Sequence, residues 1–379
     1  MCGIGAVIHN NENINNLLYE MLFNLQHRGQ DSSGFIVHNS SNKKTYKCRE
    51  FGLLENNLYK ISKFKGNIGI GHVRYPTYGN ITKDEIQPFY EEVFGGISLS
   101  HNGNITNCNE IIDILNKNHI NYTSTSDSQL ILKLFILFLQ RYIQDINDIT
   151  NDIVYNVVEE IYNNCRGSYS IIIMINNFGI ITFRDVYGIR PLVYSRENDY
   201  VAIASETIGF INDSNYTNVK NGEVVIIKDA NTIYKKQIYN YPLTPCLFEY
   251  IYLARPESYI NDILVYEYRE KIAEQIVNMI NKNIDVKDID YIIPVPQTGI
   301  ISGLKIGEIM NKPIKYAIVK NRYTHRTFIN GNKSNIIKGI KKIKIIKKFV
   351  ENKNILVIDD SIVRGNTSKY IVDELKKNN

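Results

Sequence analysis

The sequence predicts an α+β sandwich of two sheets with helices outside, followed by an α/β domain built on a mostly parallel sheet. Three observations carry that prediction. Up to about residue 240, short β-branched runs bounded by Gly and Asn outnumber the helical stretches set among them. Two prolines in Tyr241-Pro242-Leu243-Thr244-Pro245 then interrupt the pattern, and the boundary is placed there, giving domains over 2–240 and 246–379. Beyond it strand and helix alternate, the grammar of a sheet that binds ligands at the carboxyl ends of its strands.

In order, strands are expected at 3–8, 34–37, 68–73, 96–100, 170–175, 179–183, 191–194, 200–204, 223–227 and 232–238. Leu17, Leu18, Met21, Leu22 and Leu25 repeat at helical spacing, as do Leu130, Leu134, Leu137 and Phe138 after Asp127, a candidate cap. The second domain is expected to hold helices at 266–281, 299–310 and 367–377 and strands at 291–295, 315–319 and 354–358. Seven lysines and no acid over 333–348 read as a solvated amphipathic helix, the alternative being an attraction for phosphates or a nucleotide inhibitor.

Composition narrows the function. With 379 residues, 44% hydrophobic and 22% charged, the chain has room for about two domains and is neither a mini-protein nor disordered. Its longest apolar stretches, 170–175 and 130–139, fall short of the ~18 residues of a membrane span, the second broken by Lys133. Met1-Cys2-Gly3-Ile4 lacks the features of a secretory signal, so a cytoplasmic location is expected. A net charge of +5 attracts anions but is too mild for a nucleic-acid binder, and phosphorylated small molecules suit it better. Five irregularly spaced cysteines suggest no disulfide framework and no paired-Cys zinc site. Of these, Cys48, Cys108 and Cys165 read as small buried hydrophobes, while His9, His38 and His119 read as structural.

Cys2 follows the initiator Met, whose removal a small second residue permits. It would then hold a thiol beside a free α-amine, a nucleophile and a base of matched basicity. Four further motifs accompany it: His27-Arg28-Gly29-Gln30-Asp31-Ser32, Gly71-His72-Val73-Arg74-Tyr75-Pro76-Thr77, the Gly/Asn-rich turn His101-Asn102-Gly103-Asn104-Ile105-Thr106-Asn107, and Ser126-Asp127-Ser128. An amide-hydrolysing site needs a cation for a substrate carboxylate, an anion for its ammonium and amide donors for an oxyanion. Arg74, Asp127 and Asn102-Gly103 supply these, although singly each also suits a surface ion pair, a helix cap or a hairpin turn.

Together, from Cys2 through Ala204-Ser205-Glu206, these motifs resemble the glutaminase domain of the class II, N-terminal-nucleophile amidotransferases. The resemblance implies an αββα sandwich of the N-terminal-nucleophile hydrolase type. It also implies Cys2 as the nucleophile that attacks glutamine, with its α-amine relaying protons. Asn102 and Gly103 would hold the oxyanion, Arg74 the α-carboxylate and Asp127 the α-ammonium, with Arg28 and Thr77 as supporting contacts. The stretch 183–192 is expected to serve mainly structural turns.

In the second half, Ile355-Leu356-Val357-Ile358-Asp359-Asp360-Ser361-Ile362-Val363-Arg364-Gly365-Asn366-Thr367-Ser368 places two acids at a strand end before a Gly and hydroxyl loop that opens a helix. Such a loop cradles a phosphate with backbone N–H groups, and the acids can take ribose hydroxyls and Mg²⁺. No Gly-Lys-Ser/Thr is present, which disfavours an ATPase. The string resembles the phosphoribosyl-pyrophosphate signature of type I phosphoribosyltransferases, and 248–258, 294–299 and 321–329 agree with it.

The combination resembles the family of glutamine-dependent phosphoribosylpyrophosphate amidotransferases, which make 5-phosphoribosylamine in the first step of purine synthesis. By that resemblance Thr298, Arg322, Arg326, Asp359, Asp360, Arg364, Gly365, Asn366, Thr367 and Ser368 bind 5-phosphoribosyl 1-pyrophosphate, the 321–329 segment acts as a lid, and Asp359, Asp360 and Gly299 meet the metal. A homo-oligomer, purine nucleotide inhibitors and no iron–sulfur cluster at Cys246 are also implied. Gln297, Gly299, Asn366 and His325 depart from the family pattern, and the second domain is expected to be shortened, one helix following the phosphate loop. Those departures leave open a glutaminase whose second domain binds its ligand without synthesis. A third possibility, amination of a different sugar phosphate, is opposed by the 359–368 string.

Overall fold

The computed structural model describes residues 2–10, 13–75, 82–124, 126–211, 215–320 and 343–378. The chain divides into two compact units, Met1–Cys246 with Tyr259–Asp262, and Leu247–Ser258 with Ile263–Asn379.

The first unit holds strands β1 (Gly3–His9), β2 (Ser32–Asn39), β3 (Lys44–Phe51), β4 (Ile68–Arg74), β5 (Phe89–Glu91), β6 (Ile97–Ile105), β7 (Gly167–Ile175), β8 (Gly179–Arg184), β9 (Val193–Arg196), β10 (Tyr200–Ala204), β11 (Thr217–Asn218), β12 (Glu223–Ile227) and β13 (Ile233–Gln237). One sheet runs β11-β9-β10-β1-β4-β2-β3 and the other β13-β12-β8-β7-β6-β5. Its helices are α1 (Asn15–Asn24), α2 (Leu58–Ile61), α3 (Cys108–Lys117), α4 (Asp127–Leu139) and α5 (Asn151–Asn164).

Side-chain alternation along the strands sets the layers. On β1, Ile4, Ala6 and Ile8 meet Ile172 and Met174 of β7 between the sheets, while Val7 points outward to Leu18, Met21 and Leu22 of α1. On β7, Ile171, Ile173 and Ile175 turn the other way, onto Leu130, Leu134 and Phe138 of α4 and Val154 and Val158 of α5. Helix, sheet, sheet and helix follow in that order, the αββα sandwich that was expected. Gly5 and Gly71 let α1 approach closely, because a Cβ at either would overlap Met21 or Leu22.

Of the elements that escaped the pattern, three show why. β3 is a half-exposed edge strand rich in Lys and Arg, so it shows no clean alternation. In α3 and α5 the apolar residues are Ile and Val among Asn, residues of modest helix propensity, and the helices form because their faces bury against α4. Asn102-Gly103 is not a turn: both residues lie inside β6, paired with Ser170 and Tyr169 of β7.

In the second unit, strands Tyr291–Pro294 and Ile355–Ile358 pair in parallel, and Ile318–Lys320 pairs antiparallel with Ile343–Ile345. Ile292 faces Ala273 and Val277 of α6 (Val265–Asn283) and Ile306 of α7 (Gly299–Met310). Ile293 and Val295 face Ile371 and Leu375 of the helix Asn366–Asn378. Helices on both faces of the sheet make the expected α/β arrangement. Residues 321–342 lie outside the described part. From 343 the lysine-rich segment is a strand and a short 3-10 turn, not an amphipathic helix, because ladder pairing to 318–320 takes up its backbone. Among the described residues no helix is long and apolar enough to cross a membrane.

Candidate active site

Cys2 stands immediately before β1, partly exposed, and its backbone is gripped at both ends. Its N–H donates to Asn102 Oδ1 at 3.0 Å, and its carbonyl accepts from Arg28 Nε at 2.9 Å. Asn102 is fully buried in β6, and its Nδ2 meets no hydrogen-bond partner among the described residues. An orphaned buried donor beside a partly exposed cysteine is costly unless something arrives to accept from it. Gly103 follows, where a Cβ would overlap the Ser168 carbonyl, so only glycine keeps the strand close to β7 here.

Arg28 is wholly buried and pairs with buried Glu206, which also meets His27 Nε2 at 2.9 Å. The guanidinium thus braces the Cys2 backbone. Glu206, 178 residues from Arg28 in the chain, carried a motif match but no expected role.

Arg74 ends β4, and its guanidinium is held by Glu85 through both the backbone carbonyl and, at 3.5 Å, the carboxylate. Thr77 lies outside the described residues. Asp127 is the first residue of α4, and the preceding Ser126 makes no side-chain cap bond. Asp127 Oδ2 accepts from Ile105 N–H at 3.2 Å and Oδ1 from Ser128 N–H at 2.8 Å. Burial pushes its pKa up, but His101 and these hydrogen bonds outweigh burial and lower it to about 2. Direct bonds therefore join Cys2 to Arg28 and to Asn102, and Asp127 at the start of α4 is an anion bonded to Ile105, the last residue of β6.

The 183–192 stretch supports this wall. Buried Asp185 accepts from the N–H groups of Tyr169, Tyr187 and Ile189, and Tyr169 is the ladder partner of Gly103.

In the second unit, Asp359 and Asp360 follow the strand Ile355–Ile358, and Gly365, at φ 69°, turns the chain into the helix that starts at Asn366. The first N–H groups of that helix, at Asn366, Thr367 and Ser368, have no intrahelical acceptor and suit an anion. Arg364 is exposed beside them. Thr298 and Ser361 both donate hydroxyl hydrogen bonds to Asp360. Burial, then the charge of Asp360, raises the Asp359 pKa above its ordinary value. Arg322 and Arg326 fall outside the described residues.

No cluster of three or more His, Cys, Asp or Glu suited to a metal occurs among the described residues. The Asp359-Asp360 pair fits Mg²⁺, which keeps several waters and takes one or two carboxylates together with substrate phosphates. Gly299 offers no side chain, and a Cβ there would lie 2.7 Å from the Ile358 carbonyl, so α7 approaches the strand more closely than a serine would allow.

A model of the glutamine amidotransferase domain matches residues 76–212. The chain is 36% identical to the amidophosphoribosyltransferase of Pasteurella multocida, covering 98% of this chain and 76% of the relative. Identity to the enzyme of the same name is 35% both in Escherichia coli, covering 98% of this chain and 75% of the relative, and in Saccharomyces cerevisiae, covering 100% and 77%. Among solved structures, the glutamine phosphoribosylpyrophosphate amidotransferase of B. subtilis complexed with ADP and GMP matches with a TM-score of 0.84 at 28% identity, covering 100% of this chain and 79% of that one. A structure described as the allosteric regulatory enzyme of purine biosynthesis matches at 0.85 and 28%, covering 100% and 78%.

Proposed function

The chain belongs to the amidophosphoribosyltransferase family, and from that membership we propose that its two domains share one synthesis. Residues 2–240 would release ammonia from glutamine, and residues 246–379 would pass it to C1 of 5-phosphoribosyl 1-pyrophosphate. The products are glutamate, 5-phosphoribosylamine and pyrophosphate, the entry into purine synthesis. The observation that carries this reading is the Asn102 amide, bonded to Cys2 through Oδ1 while its buried Nδ2 stays free to donate.

With Met1 removed, the α-amine of Cys2 takes the thiol proton as sulfur attacks the glutamine amide carbon. Asn102 Nδ2 and the Gly103 N–H receive the oxyanion. As the carbon–nitrogen bond breaks, the proton passes to the leaving ammonia, and water then cleaves the thioester. Arg74 would hold the α-carboxylate and Asp127 the α-ammonium, while Arg28, bonded to the Cys2 carbonyl, fixes the nucleophile. Thr77 is assigned as a glutamine contact on its motif alone.

In the transferase domain, Asp359 and Asp360 would take the ribose hydroxyls and hold Mg²⁺. Bound there, the ion supplies positive charge for the leaving pyrophosphate. Arg364, Gly365, Asn366, Thr367 and Ser368 would cradle the 5-phosphate, with Thr298 toward the pyrophosphate and Arg322 and Arg326 in the lid. A similar solved structure carries ADP and GMP, which supports purine nucleotides as inhibitors. We assign a cytoplasmic homo-oligomer on the same family grounds.

Measuring pyrophosphate release from 5-phosphoribosyl 1-pyrophosphate tests the whole. Release is expected with either glutamine or ammonia, and Cys2→Ala should remove only the glutamine-dependent part. Ligand binding without release would instead support a glutaminase with a non-synthetic second domain.

A further inference from the structure

We infer that the short segment Glu85-Ile86-Gln87 is a positioning strut that sets the spacing between the glutamine-gripping groups, with Gln87 making the decisive contacts. The inference rests on the reading of Arg74, Asn102, Gly103 and Asp127 as the glutamine site.

Gln87 is 5% exposed, and both ends of its amide are used. Its Oε1 accepts from the His101 N–H at 2.7 Å, one residue before Asn102 on β6. Its Nε2 donates to Ser128 Oγ at 2.9 Å, one residue after Asp127 on α4. Ser128 Oγ also meets His101 Nδ1 at 2.9 Å and Asp127 Oδ1 at 3.2 Å, closing a buried network. Two residues before Gln87, Glu85 holds the Arg74 guanidinium through its carbonyl and its carboxylate. The segment itself is pinned, because the Gln87 carbonyl sits where a side chain on Gly34 of β2 would have to go.

Two residues of one segment therefore connect all three groups assigned to the substrate: Glu85 holds the cation for its carboxylate, and Gln87 links the strand carrying the oxyanion donors, through His101, to the anion for its ammonium, through Ser128. Glutamine and asparagine differ by one methylene between the amide and the α-carbon. A site that grips both ends separates them by the distance between its grips. The Gln87 amide fixes that distance from the oxyanion strand to Asp127 without touching substrate.

The test is steady-state kinetics on the full-length enzyme bearing Gln87→Met, which keeps the volume and removes both hydrogen bonds. Ser128→Ala is the second variant, should Gln87→Met fail to fold. Expected for either is a rise of about tenfold or more in KM for glutamine, the size that loss of a buried hydrogen bond allows. The preference for glutamine over asparagine should fall with it, while ammonia-dependent turnover stays within about twofold of the parent. An unchanged KM and preference would overturn the strut. So would parallel loss of glutamine-dependent and ammonia-dependent turnover, which marks a merely structural role. Failure of the underlying reading looks different: parent hydrolysis of glutamine would survive Cys2→Ala, and the strut would fall with it.

Discussion

Arg28 and Glu206 form an ion pair in which neither side chain keeps any solvent exposure. Arg28 also donates to the Cys2 carbonyl, so a buried glutamate holds the cation that holds Cys2, the proposed nucleophile. Removing one partner of a buried pair strands the other charge and costs about 3–5 kcal/mol. Glu206→Gln should lower the melting temperature and abolish glutamine-dependent turnover. Thermal denaturation run beside a glutaminase assay checks both, and a variant that melts and turns over like the parent would refute the brace.

Asn102 is expected to act on the transition state. Its Nδ2 has no hydrogen-bond partner among the described residues, so on the proposed reading it bonds only once negative charge develops on the substrate oxygen. Asn102→Ala should cut kcat for glutamine hydrolysis by about 10²–10³, with KM changed far less. A raised KM at parental kcat would make it a ground-state contact instead.

Asp127 predicts an acid limb. Its folded pKa, about 2, lies below the unfolded 3.8. The stability it contributes, about 2 kcal/mol, is present above pH 4 and lost as pH falls from 4 toward 2. Asp127→Asn should flatten that part of the stability curve. Denaturant unfolding of both proteins across pH 2–6 measures it, and parallel curves would show that the carboxylate is not held as described.

At the transferase site the sign is reversed. Burial and the neighbouring Asp360 raise the Asp359 pKa, so its charge costs the ligand-free fold more than it would in water, a cost that a bound cation would relieve. Asp359→Asn should leave the melting temperature of the ligand-free protein unchanged or higher. It should also abolish the rise produced by Mg²⁺ with 5-phosphoribosyl 1-pyrophosphate, along with ammonia-dependent pyrophosphate release. A lower ligand-free melting temperature with turnover retained would count against the assignment.

Local chemistry made much of this protein readable. Alternating Ile and Val set the inner strands, the prolines of 241–245 mark the change of pattern, and Cys2, Arg74, Asp127 and the 359–368 string announce themselves by residue type and spacing. The sequence alone determined which elements face the core and which residues are candidates for chemistry, because periodicity and functional-group identity are properties of neighbours in the chain. Only the tertiary structure decided that Asn102-Gly103 extends a strand rather than turning, that Arg28 braces Cys2, and that Glu206 and Gln87 join groups from distant segments. Those relationships are hydrogen bonds and ion pairs closed between distant segments, between residues up to 179 positions apart, and no local pattern encodes which partner a buried amide or carboxylate will meet.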